Sequence, residues 1–117
     1  MKKSAAKRRG ARKPTGLATI ADLCIIPLGV GVSLAEHIAA AYRIIASSGL
    51  KHELHAYGTN VEGDYELVCA TLRRCIEKIH AMGAPRVTCT IKLGTRVDRE
   101  QTMKDKVESI RRRVDGD

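Results

Sequence analysis

The ten residues His55–Asp64, HAYGTNVEGD, decide how the rest of the chain folds. They stand between a run that alternates like a strand and a long helical segment. They carry two glycines, a threonine, an asparagine and two carboxylates, more hydrogen-bonding chemistry than a plain turn requires. If TNVE, Thr59–Glu62, is a short extra strand, the flanking elements form the series β-α-β-β-α-β, the split βαβ pattern.

Upstream of this stretch, LKHELHAY alternates. Leu50, His52, Leu54 and Ala56 fall on one dry side, and Lys51, Glu53, His55 and Tyr57 on the other. Before that, apolar residues at Leu34, Ile38, Ala41, Tyr42 and Ile45 recur at helical spacing, and Gly49 is placed to end the helix. Ser33 and Glu36 have capping-box spacing, which predicts a helix start at Leu34. LCIIPL, Leu23–Leu28, is almost continuously apolar, as a central strand is, and Pro27 should end its pairing.

Downstream, Asp64 should cap a helix from about Tyr65 to Met82, with Val68, Leu72, Cys75, Ile76 and Ile79 as its stripe and Gly83 closing it. Within the opening stretch, Gly58 is read as the hairpin corner and Gly63 as the turn into that helix. RVTCTIKL, Arg86–Leu93, alternates again, with Thr88, Thr90 and Lys92 on its polar side. Asp98 and Gln101 then start a last helix carrying Met103, Val107 and Ile110. The expected fold is therefore α+β, a ferredoxin-like β-α-β-β-α-β sandwich with an extra C-terminal helix. Two helices would cover one sheet face. The other face, crossed by an apolar strand, calls for a partner, and a homo-oligomer is expected.

A chain of 117 residues supports one domain. Its formal charge of +8 is concentrated at the start: residues 1–16 hold seven basic residues and no acid, which leaves about +1 for the rest. This arm has too little apolar surface to order itself, so the expected division is a disordered basic arm at 1–16 and a domain at 17–117. The arm's readings are a solubilising tail, a targeting segment, or a non-specific contact to nucleic acid or an anionic surface. No apolar run reaches the ~20 residues of a membrane span, and no apolar signal segment opens the chain. Cys24, Cys69, Cys75 and Cys89 lack C-x-x-C spacing and read as reduced apolar fillers, in keeping with a cytoplasmic protein. His52 and His55, three apart on a strand, point to opposite faces, so no metal site is expected.

Three motifs recur in order: Pro27-x-Gly29-x-Gly31-x-Ser33, Gly58-Thr59-x-x-Glu62-Gly63-Asp64, and Thr90-x-Lys92 followed by Arg96-x-Asp98. Over roughly Ala21–Ile110 the chain resembles the small thiamine-binding protein family, ferredoxin-like proteins long catalogued as uncharacterised. The resemblance implies a homotetramer, a dimer of dimers, that binds thiamine or a related pyrimidine as carrier, buffer or sensor, with no cofactor required. Val30 and Val32 and the basic arm depart from the family pattern.

On that reading Ser33, Tyr57, Thr59, Glu62, Thr90 and Lys92 are the ligand-binding candidates. An aminopyrimidine suits the hydroxyl of Thr59 and the carboxylate of Glu62, which could also offset the thiazolium charge or simply pair with Lys92 or Arg96. Tyr57 is the stacking candidate, with Tyr42 assigned to the core. Gly29 and Gly31 before a helix, with Lys92 or Arg96, could present an anion site for a phosphorylated form. Two other classes stand beside this one. An enzyme would draw on His55, Glu62 and Lys92, though no spacing requires it. A nucleic-acid-associated protein would act through the arm, since the aromatic sheet signature of RNA-binding ferredoxin-like domains is missing.

Overall fold

The computed structural model describes residues 16–116. Seven elements follow in order: β1 (Ala18–Leu28), α1 (Ala35–Ala46), β2 (Lys51–His55), β3 (Gly58–Asp64), α2 (Tyr65–Ala81), β4 (Arg86–Thr95) and α3 (Met103–Val114). The strands form one antiparallel sheet in the order β2-β3-β1-β4. This is the expected ferredoxin-like sandwich with a third helix added. The basic arm lies outside the described residues except for Gly16, whose amide donates to Asp64 Oδ1 at 3.3 Å.

Alternation along β1 sets the layers. Thr19, Ala21, Leu23, Ile25 and Pro27 are buried under α1 and α2, while Ile20, Asp22, Cys24 and Ile26 are half-buried on the open face. The core joins Leu23 and Ile25 to Ile45 of α1, Val61 of β3, and Val68, Cys75 and Ile79 of α2. Burial pushes the Cys75 thiol up to about 11, and its Sγ lies 3.4 Å from the Ala41 carbonyl oxygen. All four cysteines are unpaired.

Several local readings need correction. β1 is longer than the apolar run, because Thr19 and Ala21 also face the core. Pro27 does not stop the ladder: β1 pairs with β4 as far as Leu28↔Arg86. Pairing with β3 does stop, at Leu23↔Thr59. The Leu23 carbonyl faces β3 where Gly58 passes, so strand alternation turns the polar groups of Ile25 and Pro27 to the same side, beyond the end of β3. Proline is tolerated where no partner waits for its missing N–H.

The Ser33–Glu36 capping box is absent. Leu34 occupies the N-cap without a side-chain cap, and Ser33 is exposed. α3 starts later than Asp98, at a capping box of Thr102 and Asp105, because the Arg96 guanidinium takes both Asp98 and Gln101. Asp64 caps α2 as expected, accepting from Glu66 N. Neither Gly58 nor Gly63 serves as a corner. Both lie within β3, where they make room for neighbours: a Cβ at Gly63 would meet Leu50 Cδ2 at 2.5 Å.

Ile79 is fully enclosed between α2 and the sheet. Ile79→Ala should lower unfolding stability by about 2–5 kcal/mol, through lost transfer energy and a cavity. A urea midpoint within error of the parent would contradict the core as described.

Candidate functional site

Two concavities flank β1, one at each end of its ladder with β3. The first, about 290 Å³, opens where β3 ends, between the free edge of β1 and α1. Ile25 forms its floor. Leu34 at the N-cap of α1, with Ile38 and Tyr42 of the helix, forms one wall, and Tyr57 and Thr59 of the β2–β3 hairpin form the other. Tyr42 is thus a half-buried wall residue, its ring edge-on to His52 at 5.6 Å. Thr59 is 5% exposed and faces the helix layer, whereas Tyr57, in the turn, is 84% exposed at the mouth.

The second concavity, a groove of about 940 Å³, lies on the open sheet face beside α3. Ile20, Asp22, Glu62 and Lys92 are among its sheet residues, and Arg96, Met103 and Lys106 line its far side. Glu62 is engaged here: its Oε1 accepts the Met103 amide at 2.7 Å, anchoring the N-terminus of α3. A carboxylate at that end also meets the positive pole of the helix.

The fold therefore separates the residues that the sequence grouped. Thr59 and Glu62 sit three apart on one strand and point to opposite faces, so they cannot clasp one ring between them. Thr90 and Lys92 lie on the open face, opposite Cys24 and Asp22. Ser33 lines neither concavity. Gly29 and Gly31 have left-handed φ of 84° and 98° and follow the end of β1 that pairs with Arg86. Arg96 follows Thr95 at the opposite end of the ladder, so no joint anion site forms. The Arg96 guanidinium, hydrogen-bonded to Asp98, holds that carboxyl below its usual range.

One residue escaped the sequence reading altogether. Asp22 lies on the open face of β1 with its Oδ1 2.7 Å from His55 Nε2, and the Tyr57 amide donates to His55 Nδ1 at 3.2 Å. The available signal was a single acid at an even position of an otherwise apolar strand. Among the described residues, no group of three His, Cys, Asp or Glu side chains is placed to hold a metal ion. None of their helices is long and apolar enough to cross a membrane.

The sequence model of the thiamine-binding protein family matches residues 21–111. A UPF0045 protein of Synechocystis sp. is 50% identical over 99 residues, covering 85% of this chain and 82% of that protein. A UPF0045 protein of Eremothecium gossypii is 32% identical, with coverage of 84% and 94%. Among solved structures, a hypothetical protein of Methanocaldococcus jannaschii superposes with a TM-score of 0.75 at 28% identity, covering 81% of this chain and 97% of that one. A Thermotoga maritima protein, titled for thiamine biosynthesis or salvage, has a TM-score of 0.69 at 22% identity, covering 80% and 98%, and shares the fold.

The first concavity depends on Gly58, where a Cβ would lie 2.5 Å from the Leu23 carbonyl oxygen. Backbone cannot yield as a side-chain tip can, so Gly58→Ala should destabilise the protein by about 1–3 kcal/mol. It should also push the hairpin off β1, read as chemical-shift changes at Ile25 and Thr59. Unchanged stability and shifts would refute the close approach.

Proposed function

The chain belongs to the thiamine-binding protein family, and from that premise we propose that it captures thiamine or a related aminopyrimidine reversibly, without transforming it, in the concavity between β1 and α1. The observation that carries this reading is the unpaired edge of β1. An aminopyrimidine presents an exocyclic amino donor next to a ring-nitrogen acceptor, and the Ile25 N–H and C=O offer the complementary pair. Thr59 adds a hydroxyl beneath, and Leu34 and Ile38 supply the apolar wall that small-ligand sites use to exclude water. The rings of Tyr57 and Tyr42 provide flat faces for the pyrimidine and, through their quadrupoles, for the thiazolium cation. About 290 Å³ lies at the small end of ligand pockets and suits a molecule of two small rings.

The reading includes a role as carrier, buffer or sensor in the cytoplasm, with which four unpaired cysteines agree. Calorimetric titration with thiamine tests it. Tyr57→Ala and Thr59→Val should each weaken binding by about fivefold or more, the scale of one lost contact of about 1 kcal/mol, while Glu62→Gln should leave affinity within about twofold. A loss confined to Glu62→Gln would move the site to the groove beside α3. No binding by a folded protein would end the reading.

We also propose that the working unit is a homo-oligomer, a tetramer by resemblance to the family. α3 supports this: it has no buried residue, yet Val107, Ile110 and Val114 form an exposed apolar stripe. A lone 12-residue helix is marginal in water, so a stable α3 needs a surface to pack on. Ile91 and Leu93, 40% and 44% exposed on the edge strand β4, offer more uncovered apolar area. Light scattering should give a mass that is a multiple of the 12.8 kDa chain, reduced in the Val107→Ser/Ile110→Ser double variant. A monomeric parent would refute the assembly.

A further inference from the structure

The contact between Asp22 and His55 reaches the rim of the first concavity, since His55 is among its lining residues, and the binding reading above gives the pair no role. The pair spans two strands that are not neighbours, since β3 lies between β2 and β1. It forms because β3 carries Gly58 at the crossing. His55 pairs with Gly58, and a Cβ there would stand 3.2 Å from Asp22 Oδ1 as well as 2.5 Å from the Leu23 carbonyl oxygen. The bare Cα leaves room for imidazole and carboxylate to meet above the strand, and a Cβ would crowd the carboxylate as well as clash with the backbone.

The hydrogen bonds fix the ring's protonation. The Tyr57 amide can only donate, so Nδ1 accepts with its lone pair and the ring proton sits on Nε2, from which it is donated to Asp22 Oδ1. His55 is neutral in this arrangement, with both nitrogens used. Tyr57 stands almost free of packing in a two-residue turn closed by the His55–Gly58 ladder pair, and the bond from its amide to His55 adds a side-chain tie within that turn.

We propose that Asp22 and His55 are positioning residues for the β1–α1 pocket: Asp22 fixes the tautomer of His55, whose other nitrogen holds the Tyr57 turn at the pocket mouth, and acid releases that turn. The proposal rests on the pocket reading above. An added proton goes to the Nδ1 lone pair, the one that accepts the Tyr57 amide, so two N–H groups then face each other and the tie is lost. The contact with Asp22 survives as a charge-assisted one. Around His55 on the open face, β1 contributes Asp22 and the Cys24 thiol, and β2 contributes Glu53. β3 contributes the neutral Asn60 and, farther along, Glu62. β4 contributes Lys92 opposite Asp22, and Tyr42 of α1 shares the pocket.

Two substitutions divide the ring's functions. The Asn side-chain oxygen falls near Nδ1 and can accept the amide two residues on, as in an Asx turn, so His55→Asn keeps the tie without titrating. His55→Gln reaches toward Asp22 and gives up the tie. Nitrogen NMR of the full chain from pH 8 to pH 6 should show the Nε2–H tautomer at the upper end. Tyr57 amide exchange, corrected for intrinsic pH dependence, should rise about fivefold on acidification, the scale of one lost hydrogen bond. In His55→Asn it should stay slow at both ends, and in His55→Gln it should be fast at both. The thiamine dissociation constant should rise by a similar factor between pH 8 and pH 6 in the parent and stay level in both variants. An Nδ1–H tautomer, or Tyr57 exchange indifferent to acid and equal in the two variants, overturns the proposal. If no protein binds thiamine, the pocket reading falls and the exchange data still decide the tie.

Discussion

Everything distinctive here depends on unequal pairing along β1. On one side β4 follows it from Thr19 to Leu28; on the other, β3 leaves it after Leu23. A central strand that loses one neighbour halfway along must leave backbone groups unpaired there, and buried unpaired amides are costly enough that such a site is either wet or occupied. Pro27 lowers that cost by removing one donor from the open stretch, and α1 roofs the gap with Leu34 and Ile38. The result is a concavity edged by main-chain groups of β1 and walled by side chains. Main-chain groups left open in this way are hard to see in a list of reactive residues.

That explains what the sequence could and could not disclose. Element order, the α2 cap at Asp64 and the glycine ends of the first two helices follow from local periodicity and backbone preference, which short windows carry well. The split βαβ pattern followed once TNVE was read as a strand, although β3 runs on to Asp64. Motif adjacency does not carry over into space. Thr59 and Glu62 are neighbours in sequence and belong to one motif, yet a strand sends residues three apart to opposite faces, and their surroundings have nothing in common. Arg96 likewise looked available to an anion until Asp98 and Gln101 proved to be its partners, which also displaced the start of α3 to Thr102.

Glu62 illustrates how a conspicuous polar residue can be structural. Its carboxylate meets the first amide of α3, a helix that buries none of its own residues, so one charge-assisted hydrogen bond does much of the tethering within the chain. Held at one end, α3 keeps its apolar stripe of Val107, Ile110 and Val114 exposed among the described residues.

Gly58 links the two sides of the sheet. On the helix face its neighbour Thr59 lines the pocket, and on the open face its bare Cα lets His55 reach Asp22. A side chain there would do three kinds of damage at once: it would press on the Leu23 carbonyl, displace the carboxylate, and shift the turn that carries Tyr57. Glycine is required at this position for space rather than for a left-handed backbone. The same empty volume brings β3 close to β1 and allows a contact across it, so the hairpin end of the first concavity and the Asp22–His55 contact depend on one residue. An exposed aromatic in a two-residue turn would otherwise sample many orientations. Tying its amide to a ring that is itself oriented by a strand-borne carboxylate restricts that freedom within the chain, and a pre-ordered segment has less entropy to lose in any contact it makes.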